Sequence, residues 1–237
     1  MLQMRGNKLT WFGHATFGIT TPSGQEILID PYLESNPACP EKLKKLGRLD
    51  TMLLTHGHSD HIADAISTAK QFKPQVVGII ELCAWLGSKG VTNLLPMNKG
   101  GTQRVGEIEV SMVHAVHSSG IEDGGQMVYG GEAAGLVVRL PGGLTIYHAG
   151  DTAVFSDMKL IGELYKPDLA LLPIGDHFTM DPREAALAIR LLGVQHVVPM
   201  HYGTWPVLTG RPQQLIDLTQ DIRGLEIHAI APGDSIG

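Results

Sequence analysis

A chain of 237 residues is long enough to bury one substantial core or to pack two similar halves into one domain. With 43% hydrophobic and 18% charged residues it is not a disordered chain, and a formal charge of −6 with scattered lysines and arginines makes a poor electrostatic footprint for nucleic acid. The apolar runs are too short to span a bilayer and the start lacks a signal-peptide pattern, so a cytoplasmic protein with no membrane partner is expected.

In chain order, strands are predicted at 8–13 and 16–21, and the turn Pro22, Ser23, Gly24 leads into a third at 26–30, an antiparallel meander. An apolar strand at 49–55 runs into His56, and a helix is predicted over 60–72. A strand at 75–80 precedes a short helix at 82–89, whose Trp85 is a candidate contact for a homo-oligomer. Strands at 102–105 and 108–114 are followed by a Gly-rich stretch, 121–131, read as a loop. Strands at 135–140 and 144–148 flank Pro141, Gly142 and Gly143, a hairpin signal. Then come a helix at 155–165 and a strand at 168–173. The next helix should be capped by Asp181, with Pro182 at its first position and Glu184 completing a capping box. A strand at 195–199, a helix at 212–221 and a strand at 225–229 end the pattern.

Meander then β-α-β, and again meander then β-α-β, implies an α/β (α+β) chain with two mixed sheets face to face and helices outside. This is a four-layer αββα sandwich, one domain over 1–237 with two similar halves; a doubly wound α/β sheet fits the same order nearly as well. Cys39 and Cys83 lack ligand-spaced neighbours and read as free thiols.

Eleven histidines are many for this length. His56, His58, Asp60 and His61 fall within six residues, directly after a strand and before a helix. His56 and His58, two apart in an extended turn, can chelate one ion, while Asp60 and His61 face a neighbouring point, with Gly57 and Ser59 keeping the turn small. Read singly, each could be solvated or cap the helix; crowded together, such groups call for a cation.

The run His56-x-His58-x-Asp60-His61 resembles the signature of the metallo-β-lactamase superfamily. Asp30 at an early strand end, then His117, Asp151 and His201, follow in that family's order. The resemblance extends over about residues 8 to 235 and implies the four-layer sandwich and a binuclear metal-dependent hydrolase. It implies one ion on His56, His58 and His117 and another on Asp60, His61 and His201, with Asp151 bridging. A water between the ions, deprotonated near neutral pH, would be the nucleophile. Zinc suits imidazole and carboxylate best, with manganese, iron or nickel as competitors. Asp30 would orient the His-rich loop. His114 competes with His117, but it alternates with Val110 and Met112 along a strand and is expected to face the core or to back the ligands.

A branch similar to L-ascorbate-6-phosphate lactonase and its uncharacterised hydrolase relatives also has counterparts of His14 and His177 near the site, where they bind substrate or move protons. By themselves the two read equally well as surface or structural histidines. Asp60, His14 and His177 are thus the candidate catalytic groups, and His148, His196 and His228 are read as strand residues without direct roles. Asp151 stands where many true β-lactamases carry Cys, and His58 where flavin-linked di-iron reductases carry Glu, which points away from both. A centre of two divalent ions against two aspartates is cationic, so a small anionic ester, lactone or phosphoester is the expected substrate. The alternatives are a nuclease or nucleotide phosphodiesterase, separable by a cleavage assay, and a non-catalytic metal-binding regulator, for which a complete ligand set would be superfluous.

Overall fold

The computed structural model describes all residues, Met1–Gly237. β1 (Lys8–Gly13) and β2 (Thr16–Thr20) pair so that Leu9 faces Ile19 and Trp11 faces Phe17, all four buried. Alternation of this kind fixes register, because a one-residue slip would expose every apolar side chain. β3 (Glu26–Ile29) completes the meander, and β4 (Thr51–Leu53) and β5 (Gln75–Ile79) extend the sheet in parallel. One further parallel strand, β6 (Leu94–Met97), was not predicted. It contains Pro96, which cannot donate to a ladder and weakens the strand signal, and it lies at the sheet edge, where proline is tolerated.

The second half repeats the plan. β7 (Thr102–Val105), β8 (Ile108–His114), β11 (Ala134–Arg139) and β12 (Thr145–His148) are antiparallel neighbours. β13 (Leu169–Pro173), β14 (His196–Met200) and β15 (Glu226–Ile227) then add in parallel. Between β8 and β11 the chain forms a small separate hairpin, β9 (Gly120–Asp123) and β10 (Gln126–Tyr129). This corrects the loop predicted over 121–131. Gly124 and Gly125, at φ 59° and 80°, supply the two-residue turn whose twist matches a hairpin. β16 (Ser235–Ile236), also unpredicted, pairs with β1 across the whole chain and closes the first sheet.

The two seven-stranded sheets run β16-β1-β2-β3-β4-β5-β6 and β15-β14-β13-β12-β11-β8-β7. Their apolar faces meet in one large cluster that includes Phe17, Leu28 and Leu53 from the first sheet and Val110, Leu136 and Ile146 from the second. A second cluster seats α4 (Met158–Tyr165), α5 (Pro182–Leu192) and α6 (Pro212–Leu218) on the outer face of the second sheet. The four-layer sandwich is therefore the fold. No helix is long and apolar enough to cross a membrane.

The single helix predicted over 60–72 is two, α1 (Ser59–Ile62) and α2 (Ala65–Phe72). Asp64 at the joint accepts the N–H groups of Leu33 (2.6 Å) and Glu34 (3.0 Å), and this pull toward the neighbouring loop breaks the helical run. α3 (Ile80–Ser88) carries Trp85, whose indole N–H donates to Asp123 at 2.9 Å, so its polar edge is engaged in bracing the hairpin. The cap at Asp181 forms as expected, accepting from the N–H groups of Arg183 and Glu184. Cys39 and Cys83 are free and buried, and burial raises both thiols to about 11.

Candidate metal centre

Pairing directions make β1, β3 and β4 parallel within the first sheet and β8, β12 and β14 parallel within the second, and contacts such as His61 with Asp151 bring the C-terminal ends of both sets to one rim of the sandwich. Chemistry-bearing residues follow each of these ends: His14, Asp30, the His56–His61 segment, His117, Asp151 and His201. Ligands outside the carboxyl ends of strands are the general rule for α/β sheets. Three of these residues hold left-handed backbone, His14 at φ 56°, Asp30 at 50° and His201 at 55°. Each such position costs on the order of 1–3 kcal/mol and persists only where its surroundings enforce it. The enforcing bonds are present: the His14 carbonyl accepts both the Trp11 indole N–H (3.0 Å) and the His201 N–H (3.1 Å).

The seven expected ligands come together. The His58 Nδ1 lies 3.0 Å from His56 Nε2 and 3.3 Å from His117 Nε2. Asp151 is central: its Oδ2 is 3.1 Å from His201 Nε2, 3.6 Å from His117 Nε2 and 4.0 Å from His56 Nε2, and its Oδ1 is 3.3 Å from His61 Nε2. The Asp60 Oδ2 lies 3.5 Å from His201 Nε2 and 3.8 Å from His61 Nε2. Donors around a tetrahedral ion with bonds of about 2.1 Å stand about 3.4 Å apart, so these spacings are those of metal-ligand edges. His61 Nε2, His201 Nε2 and Asp151 Oδ1 are buried without a hydrogen-bond partner, although such groups are almost always paired. The residues therefore fit divalent metal.

The atoms behind them set which nitrogen faces inward. Asp30 accepts from the Thr55 N–H (2.8 Å), the Thr55 hydroxyl (2.6 Å) and His61 Nδ1–H (2.7 Å). Since the Thr55 proton goes to Asp30, the Thr55 oxygen accepts from His56 Nδ1–H at 3.0 Å, leaving His56 Nε2 as a lone pair directed at the centre. Ser118 sits 3.2 Å from His58 Nε2, which leaves His58 Nδ1 to face inward.

His14 is fully buried, with Nε2 2.9 Å from Asp60 Oδ2 and Nδ1 2.9 Å from Thr204 Oγ1. Burial and the neighbouring His201 push it down to about 4, so it is neutral near pH 7; Nε2–H donates to Asp60 and Nδ1 accepts from Thr204. Burial opposes charge on Asp60 and Asp151, but His61 and His201 outweigh it and hold both carboxyls well below their usual range. Burial likewise works against His61 and His201, yet the carboxylates win, raising His61 well above its usual value and His201 to about 9. A field strong enough to keep buried imidazoles charged also favours cations.

His177 is not brought in: it is exposed, and its ring packs 4.4 Å from that of Phe178. Its backbone, at φ 57°, belongs to a tight turn in which the Asp176 carbonyl accepts the Phe178 N–H. His114 is exposed too, 3.1 Å from Lys99 Nζ, rather than facing the core or backing the ligands; three residues later, past the strand end, His117 turns inward. His148, read as having no direct role, is fully buried and joins two turns of the site: Nε2–H donates to the Ala15 carbonyl (2.9 Å) and Nδ1 accepts the Gly150 N–H (3.1 Å). Its position three residues before Asp151 was the only signal for it. Thr55, Ser118 and Thr204 had no signal beyond standing next to the motifs.

Over the centre opens a cavity of about 720 Å³. Tyr32, Trp205, Met127, Phe178 and Val207 supply its apolar wall, the last three at least partly solvent-exposed at the mouth. No lysine or arginine lines it. The hairpin roof sits close: a Cβ at Gly57 would lie 2.6 Å from Ile121, so only glycine fits under it.

Residues 25–202 match the family described as Beta-lactamase superfamily domain. The chain is 55% identical over 234 residues, 99% of each chain, to a UPF0173 metal-dependent hydrolase of Koribacter versatilis. It is 56% identical over 231 residues, 97% of this chain and 99% of the other, to one of Solibacter usitatus. Among solved structures, the metallo hydrolase Igni18 of the hyperthermophilic archaeon Ignicoccus hospitalis superposes with a TM-score of 0.86 at 34% identity, covering 97% of each chain. An isothiocyanate hydrolase from Delia radicum gut bacteria, 22% identical over 97% of this chain and 98% of its own, shares the fold with a TM-score of 0.73.

Proposed function

The chain belongs to the metallo-β-lactamase superfamily of metal-dependent hydrolases, and from that premise we propose that it cleaves a small ester or lactone with an apolar body at a binuclear centre. The cavity supports this reading: four ligand-type side chains, His58, Asp60, His117 and Asp151, line its floor, with His56, His61 and His201 buried behind them, while its wall is largely apolar. His56, His58 and His117 would hold one ion, Asp60, His61 and His201 the other, and Asp151 both. Imidazole and carboxylate without thiolate suit zinc, ahead of manganese, iron or nickel. When bound, the ions would supply Lewis acidity, acidifying water and drawing off charge that develops on a substrate oxygen.

The chain's own residues do the rest. His14 keeps its proton on Nε2 and fixes the Asp60 carboxylate. Asp30 and Thr55 fix the rings of His61 and His56. Tyr32 and Trp205 shield one side of the reacting group from water. An anionic substrate, expected from the charge of the centre, would find positive charge only in the ions, because the wall offers no cation. The same absence disfavours a polyphosphate or nucleic-acid backbone.

Turnover of aryl esters of increasing acyl length, lactones and an aryl phosphodiester by zinc- or manganese-loaded protein tests the proposal. Ester or lactone rates that rise with the apolar substituent are expected; turnover confined to the phosphodiester would overturn it.

A further inference from the structure

At the opposite rim of the second sheet, three donor side chains meet that the centre does not use. His196 opens β14, whose other end delivers His201, so the two lie about 16 Å apart along the strand. His196 is the register partner of Glu226 on the edge strand β15. Side chains two apart on an extended strand share a face, and the His228 N–H donates to the Val197 carbonyl at 2.8 Å, which continues the ladder one residue past β15. Strand register therefore puts Glu226 and His228 on the face that His196 occupies.

The atoms are close. His228 Nε2 is 3.3 Å from His196 Nδ1, and Glu226 Oε2 is 3.4 Å from His196 Nδ1 and 4.0 Å from His228 Nε2. The other carboxylate oxygen, Oε1, faces the Met1 amino group at 3.5 Å, leaving Oε2 for the imidazoles. Two of the three spacings match the donor edge of about 3.4 Å around a tetrahedral ion, and the third needs a small rotation of a half-exposed Glu226. The imidazole side chains are only 14% and 21% exposed, so two donors are already held in place. Two imidazoles and one carboxylate, with a fourth position open to solvent, make a donor set for zinc or its late first-row neighbours.

We infer that His196, Glu226 and His228 form a separate binding site for one divalent zinc-like ion, which clamps the two-residue edge strand β15 to β14. The competing arrangement is a plain imidazole–imidazole hydrogen bond with Glu226 as an ion-pair partner, which would hold no metal.

Elemental analysis after dialysis of the full chain against micromolar zinc separates the two. The paired variant His196→Ala, His228→Gln should retain one zinc fewer than the wild type, whatever the wild type holds, and Glu226→Gln should weaken the same ion. Crystals grown with zinc should show an anomalous peak between the three side chains. An unchanged circular dichroism spectrum confirms that the variants fold, as expected for substitutions at the first residue of β14 and on the edge segment beside it. Equal zinc content in wild type and paired variant, or no anomalous peak at this place, would overturn the inference.

Discussion

Asp151 and Asp30 are both buried carboxylates beside His61, yet they should respond differently to substitution. Asp151 reaches both ligand groups, so Asp151→Ala should abolish metal binding at both positions and activity with it, with the circular dichroism spectrum retained. Asp30 acts through Thr55 and His61, and loss of such a supporting group typically lowers metal affinity about 10–100-fold. Asp30→Ala should fall in that range by competition with a chelator, and an unchanged affinity would show that the bonds to Thr55 and His61 are idle. His14 and His177 divide in the same way. Buried His14 fixes Asp60, so His14→Ala should lower zinc affinity and turnover together. Exposed His177 touches no ligand, and His177→Ala should leave zinc affinity unchanged and stability within about 0.5 kcal/mol.

At the scale of elements, α5 shows how a local signal becomes measurable stability. Asp181 accepts two N–H groups at the start of a helix that covers the second apolar cluster, and Asp181→Ala should cost about 1 kcal/mol in urea unfolding. Burial works against its charge, but the bonds from Glu184 and Arg183 prevail and hold the carboxyl below its usual value. Its contribution is therefore complete above the unfolded value of about 3.9 and fades as pH falls through the lower folded value, so the difference between wild type and variant should shrink on strong acidification. The β9–β10 hairpin, by contrast, rests on side-chain ties. Trp85 and Lys89 of the α3 region both reach Asp123 and hold the roof of the cavity from behind.

For the whole molecule, the rim is where the two halves meet, so whatever binds there links them. His61 belongs to the first half and Asp151 and His201 to the second, while His148 bonds back to Ala15. Ions that bind only the folded chain stabilise it by mass action, by about 4 kcal/mol at a thousandfold excess over the dissociation constant. For a domain of this size each kcal/mol moves the midpoint by about 2–4 °C, so stripping the metal should lower Tm by about 8–16 °C, read by calorimetry with and without chelator. A shift that disappears in Asp151→Ala would assign it to the centre.

The sequence by itself determined the chemistry that local spacing can carry. Four donors within six residues need no distant partner to be noticed, nor does the cap at Asp181; the repeated meander and β-α-β patterns narrowed the fold to a four-layer sandwich or a doubly wound sheet, and the motif resemblance favoured the sandwich. Only the tertiary structure decided which way side chains point and what lies behind them. His117 turns in and His114 out, His177 faces solvent while His14 is enclosed, and Thr55 and His148 brace the centre. β16 exists only because β1 offers it an edge more than two hundred residues away. The physical reason is common to all: direction and pairing come from register, twist and non-local hydrogen bonds, which a linear pattern of residue types does not contain.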